Sequence, residues 1–358
     1  YGHLITGTNI KPAAVNPAPA ASADFNSHPA NRKPIGTGPY IFKEWKTDEK
    51  IVLEHNPDYF EGRQNFSRAK EILPGITTTA NSRLYPYINR YIFRIVPDQA
   101  VEFLEMRNES IDSMGLTPDQ YYAYPEFFEK YNKFRYPSFG YTYLGYNLNH
   151  KLFSDINIRR AIAYAMNKSE IIKGVLLGLG RAATGPFPPS SWAYNPDVKD
   201  YEYNPEKAKQ LFAAAGWIYN KDGWLEKNIG TAEIPQRVQF EFTLMTNQGN
   251  KNRELCCQII QSNLRQLGIK VNIRIIEWSA FIHQYIDKHN FDAVLLGWNL
   301  SRDPDQFSIW HSSQRKEGQY NFVGYNNPEV DKLLEQGRRV FDVSVRQKIF
   351  RKVHQIIN

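Results

Sequence analysis

The stretch VQFEFTLMTNQGNKNRELCCQIIQSNLRQLGIKVNIRIIEWSAFIHQYIDKHNFDAVLLGW, residues 238–298, decides the fold class. VQFEFTLMT, IKVNIRIIE and FDAVLLGW are short apolar or alternating runs of strand type. Between them NRELCCQIIQSNLRQLG and WSAFIHQYIDKH carry apolar residues at helical spacing. Strand and helix in regular alternation predict an α/β architecture, with helices covering a sheet.

Working outward, residues 7–39 read as loop, rich in Pro, Ala, Asn and Gly. YIFKEW and KIVLEHN within 40–56 predict a β-hairpin across KTDE. Residues 61–86 are polar and turn-rich; RYIFRIVP reads as a buried strand and DQAVEFLEMRNESID as a short amphipathic helix. YTYLGYNLN is a tyrosine-rich strand, and INIRRAIAYAMNKSEIIKGVLLGLG a single long helical stretch ending at glycine. NPEKAKQLFAAAGW predicts a helix capped by Asn204, with Pro205 first and Gly216 as the stop. Before it, TGPFPPSSWAYNPDVKDYEYN is a loop of a length usually tied to function or disorder. NPEVDKLLEQGRRV and SVRQKIFRKVHQII close the chain as basic helices.

The 358 residues carry a net charge of +7, but the cations are scattered and build no arginine-rich arm. Nucleic-acid binding is therefore disfavoured, and a basic surface working beside an anionic envelope fits at least as well. The two cysteines, Cys256 and Cys257, are adjacent. On a helix they point ~100° apart, so they neither bridge easily nor form a metal pair, and are read as small buried or half-buried residues, not a redox centre. No run reaches the ~20 apolar residues of a membrane span. The opening YGHLITGTNIKPAAVNPAPAASADF reads as the interior of a longer protein.

Gly36-Thr37-Gly38-Pro39 leads into a strand, and Pro39 removes an amide, so a tight turn is preferred to a phosphate cradle. Asp303 and Asp305, with His311 nearby, have a spacing that permits a metal site. Pro304 between them forces an extended backbone that sends the carboxylates apart, and no second acidic cluster converges in sequence. There is no nucleophile elbow, and the histidines are scattered singly. Neither catalytic residues nor a metal or other cofactor are expected. Aromatic content of 14% exceeds what a core needs and suits the lining of a cleft, with tyrosine-rich exposed strands as the equal alternative. The strand ending at Gly297-Trp298 is followed by a polar loop with Asn299, Arg302 and Asp303, the composition of a binding wall. The alternative is a surface loop whose Trp298 packs in the core.

Six segments together resemble the bacterial extracellular solute-binding proteins of family 5. They are PIGTGPYIFKEWKTDEKIVLEHNPDYFEG (34–62), YIFRIVPDQAVEFLEMRNESIDSM (91–114) and YLGYNLNHKLFSDINIRRAIAYAMNKSEII (143–172), followed by GPFPPSSWAYNPDVKDYEYNPEKAKQLFAAAGW (185–217), FDAVLLGWNLSRDPDQFSIWHSS (291–313) and NFVGYNNPEVDKLLEQG (321–337). The resemblance implies a two-lobe, class II periplasmic-binding-protein fold that closes on ligand. It implies an incomplete chain: residues 1–136 would be a remnant of lobe I and 137–358 nearly all of lobe II. A partial lobe I should expose apolar surface unless the missing portion covers it. Segment 63–84 is longer than the family pattern and receives no role.

The resemblance also implies site residues. An aspartate shortly after the tryptophan pairs with a peptide ammonium in such proteins; here Ser301 holds the third position, and Asp303 is the nearest acid. An enclosed Asp303–ammonium bond would be worth roughly 1.5–3 kcal/mol. Trp278, after Glu277, matches a pocket tryptophan, and strand 139–147 would border the cleft. The implied ligand-binding set is Trp298, Asn299, Leu300, Ser301, Arg302, Asp303, Trp278, Tyr141, Tyr143 and Asn147. The implied role is the substrate-binding component of an ABC importer, which captures peptides and delivers them to membrane permease subunits. Its place is the periplasm or the outer face of the cytoplasmic membrane. The alternative ligands are an oligosaccharide, an opine-like compound or a metal chelate. A metal-dependent enzyme using Asp303 and Asp305 is the least favoured reading.

Overall fold

The structure, a computed structural model, describes residues 32–59, 86, 88–231 and 233–358. Most of the opening loop and the whole 63–84 segment fall outside the described residues. The chain divides into two units, Tyr1–Val96 and Pro97–Asn358.

The described part of the first unit is one antiparallel sheet. The expected hairpin forms from β1 (Tyr40–Lys46) and β2 (Lys50–His55), in register from Tyr40↔His55 to Lys46↔Lys50. β3 (Arg90–Arg94) adds to the far side of β2. Its composition predicts burial, yet all five of its residues are exposed, Phe93 at 50%. A single sheet layer cannot bury both its faces, and among these described strands only Val52 is buried.

The second unit opens with α1 (Gln99–Arg107), capped by Asp98, and α2 (Pro118–Ala123), capped by Thr117. The Gln99 amide donates to the Gly249 carbonyl at 3.2 Å, which joins this segment to the rest of the unit. The division between units thus falls after Val96, ahead of the 136/137 lobe boundary read from sequence. β4 (Gly140–Tyr146) comes next. The long helical stretch is two helices, α3 (Ile156–Ala165) and α4 (Lys168–Gly174). Between them Met166 is extended and Asn167 caps α4, its own amide donating to Asn263 Oδ1 at 2.9 Å. A residue that prefers a cap, with a buried partner for its amide, outcompetes continued helix. α5 (Pro205–Ala214) is as predicted, with Asn204 accepting from the Lys207 amide and Gly216 at φ +85.

A small sheet of β5 (Ile218–Tyr219), β6 (Leu225–Asn228) and β7 (Arg237–Gln239) lies beyond α5 in the chain. It takes the start of the run predicted as one strand. The rest is β8 (Glu241–Asn247), then α6 (Lys251–Arg265) and β9 (Lys270–Ile276). The next helix begins as α7 (Trp278–Ala280) and continues as a π-helix over Phe281–Ile286. β10 (Ala293–Asn299), α8 (Phe307–Trp310), α9 (Pro328–Arg339) and α10 (Val343–Ile357) complete the unit.

The main sheet has the order β4-β10-β8-β9; helical crossovers make β9, β8 and β10 parallel, and β4 is an antiparallel edge. Alternation along the strands splits the core. Phe242, Leu244, Val271, Ala293 and Leu295 pack on the helix residues Ile162, Cys257, Ile260 and Leu264. Met245, Val294 and Leu296 face the other way, against Phe281, Ile286, Phe291 and Phe322. Both cysteines are buried on α6 as free thiols. Phe187 and Ala193 of the Pro/Tyr/Trp loop pack on Val330, Leu334, Phe350 and Val353 of α9 and α10. Among the described residues, no helix is long and apolar enough to cross a membrane.

Candidate ligand-binding site

Because β8, β9 and β10 run parallel, their carboxyl ends meet at one edge of the sheet, where loops can converge on a ligand. Antiparallel β4 begins there, so Tyr141 lies opposite Trp298 and Gly140 opposite Asn299. The indole of Trp298 is half-buried. It lies parallel to Tyr143, meets Phe322 with ring centroids 6.0 Å apart, and takes Tyr320 edge-on at 5.7 Å. Trp298 therefore packs against one core cluster and keeps some surface at the edge.

Tyr141 and Tyr143 stand side by side, centroids 5.8 Å apart. Burial raises both phenols above their ordinary range; for Tyr143 the neighbouring Tyr141 adds to this and Arg253 opposes it. Tyr141 Oη is buried without a hydrogen-bond partner among the described residues. Just below the edge, Arg253 of α6 donates to Asn247 Oδ1 at 2.7 Å.

The loop after β10 starts as an extension of the strand, the Leu300 amide donating to the Phe139 carbonyl at 2.8 Å. Asn299, Ser301 and Arg302 are exposed. Asp303 is engaged: Arg346 donates to both its carboxylate oxygens, at 3.0 and 3.1 Å, and the Asp305 amide donates to Oδ1 at 2.9 Å. Burial works against the Asp303 carboxylate, but these donors outweigh it and hold the carboxyl below its ordinary range. Asp305 accepts from Arg338 Nε at 2.8 Å and from the Phe307 amide at 3.1 Å. Two carboxylates each neutralised by a different arginine are poor metal donors. His311 turns Nδ1 to the Ser313 hydroxyl and stacks on Phe307.

Among the residues singled out from sequence, the structure brings together Tyr141, Tyr143, Trp298, Asn299 and Leu300, with Ser301 and Arg302 on the adjoining loop. Trp278 comes directly after β9 on the same edge and is 45% exposed, but β8 and its Asn247 stand between it and β10. Its neighbour Glu277 spends its carboxylate capping the Ser279 and Ala280 amides. Asn147 lies beyond the opposite end of β4, past the Tyr146↔Ala293 pair. Its amide donates to the carbonyls of His289 and Phe291, and its oxygen accepts from the Asn149 amide. Tyr320, Phe322, Arg253 and Arg346 carry no signal in the sequence. Phe322 lies in a segment that matches the family as a whole and is not marked within it, and the arginines are two among scattered cations.

The profile "Bacterial extracellular solute-binding proteins, family 5 Middle" matches residues 6–319. The chain is 36% identical, over its whole length, to the oligopeptide-binding protein AppA of Bacillus subtilis, of which it spans 61%. It is 26% identical to the dipeptide-binding protein of Escherichia coli, with 91% of this chain and 54% of that one aligned. Its structure is similar to that of Bacillus subtilis AppA in complex with a nonapeptide, with a TM-score of 0.73 over 91% of this chain and 59% of that one. It is also similar to NikZ from Campylobacter jejuni in complex with Ni(L-His), at 26% identity and a TM-score of 0.74, covering 93% and 60%. The chain thus spans a little over half the length of these relatives. Its α/β architecture and its sequence agree, and it belongs to the bacterial extracellular solute-binding proteins of family 5.

Proposed function

We propose that this protein is the substrate-binding component of an ABC importer, that it captures peptides, and that it delivers them to membrane permease subunits. The observation that carries this reading is the full-length 36% identity to an oligopeptide-binding protein whose structure was solved with a nonapeptide. The strand edge suits it: Trp298 and its tyrosine neighbours offer apolar faces, and exposed Asn299, Ser301 and Arg302 offer hydrogen bonds to a peptide backbone. In this reading residues 137–358 belong to the ligand-binding lobe, with Trp278 reached by the far part of a long ligand. The protein works outside the cytoplasmic membrane, as the family does. A metal chelate, the ligand of the NikZ complex, rests on the lower identity of 26% and is the weaker reading.

Native mass spectrometry of the full-length protein purified from its source tests this directly. A distribution of co-purified peptides is expected. A single sugar or chelate species in their place overturns the peptide assignment.

A further inference from the structure

The short loop after β10 is tied to the two C-terminal helices through both of its aspartates. Every nitrogen of the Arg346 guanidinium, on α10, is engaged: Nε donates to the Gly337 carbonyl at 2.9 Å, and the two terminal nitrogens form a fork on Asp303. That side chain is only 17% exposed and lies 5.5 Å from the ring centres of both Trp192 and Phe350. Two residues on, Arg338 of α9 takes Asp305 and lies 3.9 Å over the Phe307 ring. Pro304 between them is buried, and buried Gln306 donates to the Pro186 carbonyl at 2.7 Å. A planar fork on a carboxylate fixes direction as well as distance, which a lone lysine would not do.

We propose that Arg346 and Arg338 are positioning residues for ligand capture. Through Asp303 and Asp305 they tie the loop to the two C-terminal helices and so set where Asn299, Ser301 and Arg302 stand beside Trp298. Asp303 is then a structural latch, its carboxylate turned to Arg346 and not to the ammonium of a ligand. The inference deepens the peptide-capture reading and rests on it for the word capture; the latch itself rests on the contacts above.

The test uses the full-length protein with Asp303→Asn, Arg346→Gln, their double variant and the exchanged pair Asp303→Arg/Arg346→Asp, each checked for native circular dichroism. Arg346→Lys serves as the conservative variant. Hydrogen exchange of residues 299–306 without ligand reads the latch alone. It should rise about tenfold in Asp303→Asn and in Arg346→Gln, less in Arg346→Lys, and return toward wild type in the exchanged pair. Unchanged exchange in Arg346→Gln overturns the latch. Calorimetric titration with one nonapeptide and its N-acetylated form reads capture. Each single variant should weaken both forms about tenfold, and the double variant no further, because the pair acts as a unit. A loss confined to the free-amine form in Asp303→Asn, with Arg346→Gln unaffected, overturns the proposal and makes Asp303 a ligand contact. If the wild type binds neither peptide, the peptide function fails, and the exchange arm still decides the latch.

Discussion

The rings of Tyr143 and Trp298 lie parallel to within 9°, with centroids 6.1 Å apart, on neighbouring strands of the main sheet. They are diagonal neighbours on one face, since Tyr141 is the residue directly opposite Trp298. Offset parallel rings at this range attract beyond simple area burial. Trp298→Ala is expected to lower stability by about 2 kcal/mol, from the lost ring pair and the partial loss of burial. Peptide affinity should fall more than tenfold, as for a central aromatic anchor. Urea unfolding followed by circular dichroism, paired with calorimetric titration, measures both. Undiminished affinity would show that Trp298 serves the core alone.

Asn147 separates binding from scaffolding. Its side chain makes three hydrogen bonds to backbone groups at the end of the strand pair remote from Trp298. Asn147→Ala leaves the His289 and Phe291 carbonyls without these donors and should cost about 1–3 kcal/mol. Peptide affinity should stay within about twofold of wild type. A large affinity loss with unchanged stability would restore it to the binding set.

His354 predicts a dependence of stability on pH. The ring is fully buried; the Asn195 amide donates to Nδ1 at 3.0 Å, and Nε2 lies 3.2 Å from the Thr184 hydroxyl. Phe187 meets the ring edge-on and Tyr194 at a tilt. Burial lowers its pKa, and the Thr184 backbone opposes this only in part. His289 shifts the same way, chiefly through burial. Folded, both rings resist protonation, while in the unfolded chain they take up a proton near pH ~6.5. Their contribution is therefore fully present above that pH and is lost as pH falls below it. The urea midpoint should drop between pH 7.5 and 5.5, and His354→Gln should flatten that drop. An identical slope in the variant would assign the effect to other groups.

Gly140 is required by a close approach. A β-carbon there would lie 2.1 Å from the Trp298 carbonyl oxygen and 3.3 Å from the Asn299 Cα. No rotamer relieves a clash with backbone, so Gly140→Ala must push β4 away from β10 at that edge of the sheet. A loss of about 1–3 kcal/mol is expected, read as a lower melting temperature. Gly38→Ala, whose added methyl meets nothing within 4 Å, should melt as wild type and serves as the control.

Much of this architecture is legible in the residues themselves. The hairpin at 40–55, the helix begun by Asn204-Pro205 and the succession from β8 to β10 depend on local signals: turn residues, caps and apolar period. Where reading and structure diverge, a distant partner decides. Asn263, ninety-six residues from Asn167 in sequence, helps stop a helix that periodicity alone would continue. Exposed β3 has the composition of an interior strand and no layer over it among the described residues. The candidate site shows the same division, since Trp298 and its polar followers are visible as a pattern but their partners are not.

By sequence alone this protein is an α/β chain of family 5 type, with an aromatic strand edge and an Asp-Pro-Asp loop behind it. Those properties are written in nearest-neighbour chemistry and in the order of motifs. Only the tertiary structure decided that Asp303 faces Arg346, that Asp305 faces Arg338, and that Asn147 sits at the far end of the strand pair. The physical reason is that a carboxylate takes its role from the charge that lies nearest in space, and the arginine on Asp303 lies forty-three residues further along the chain.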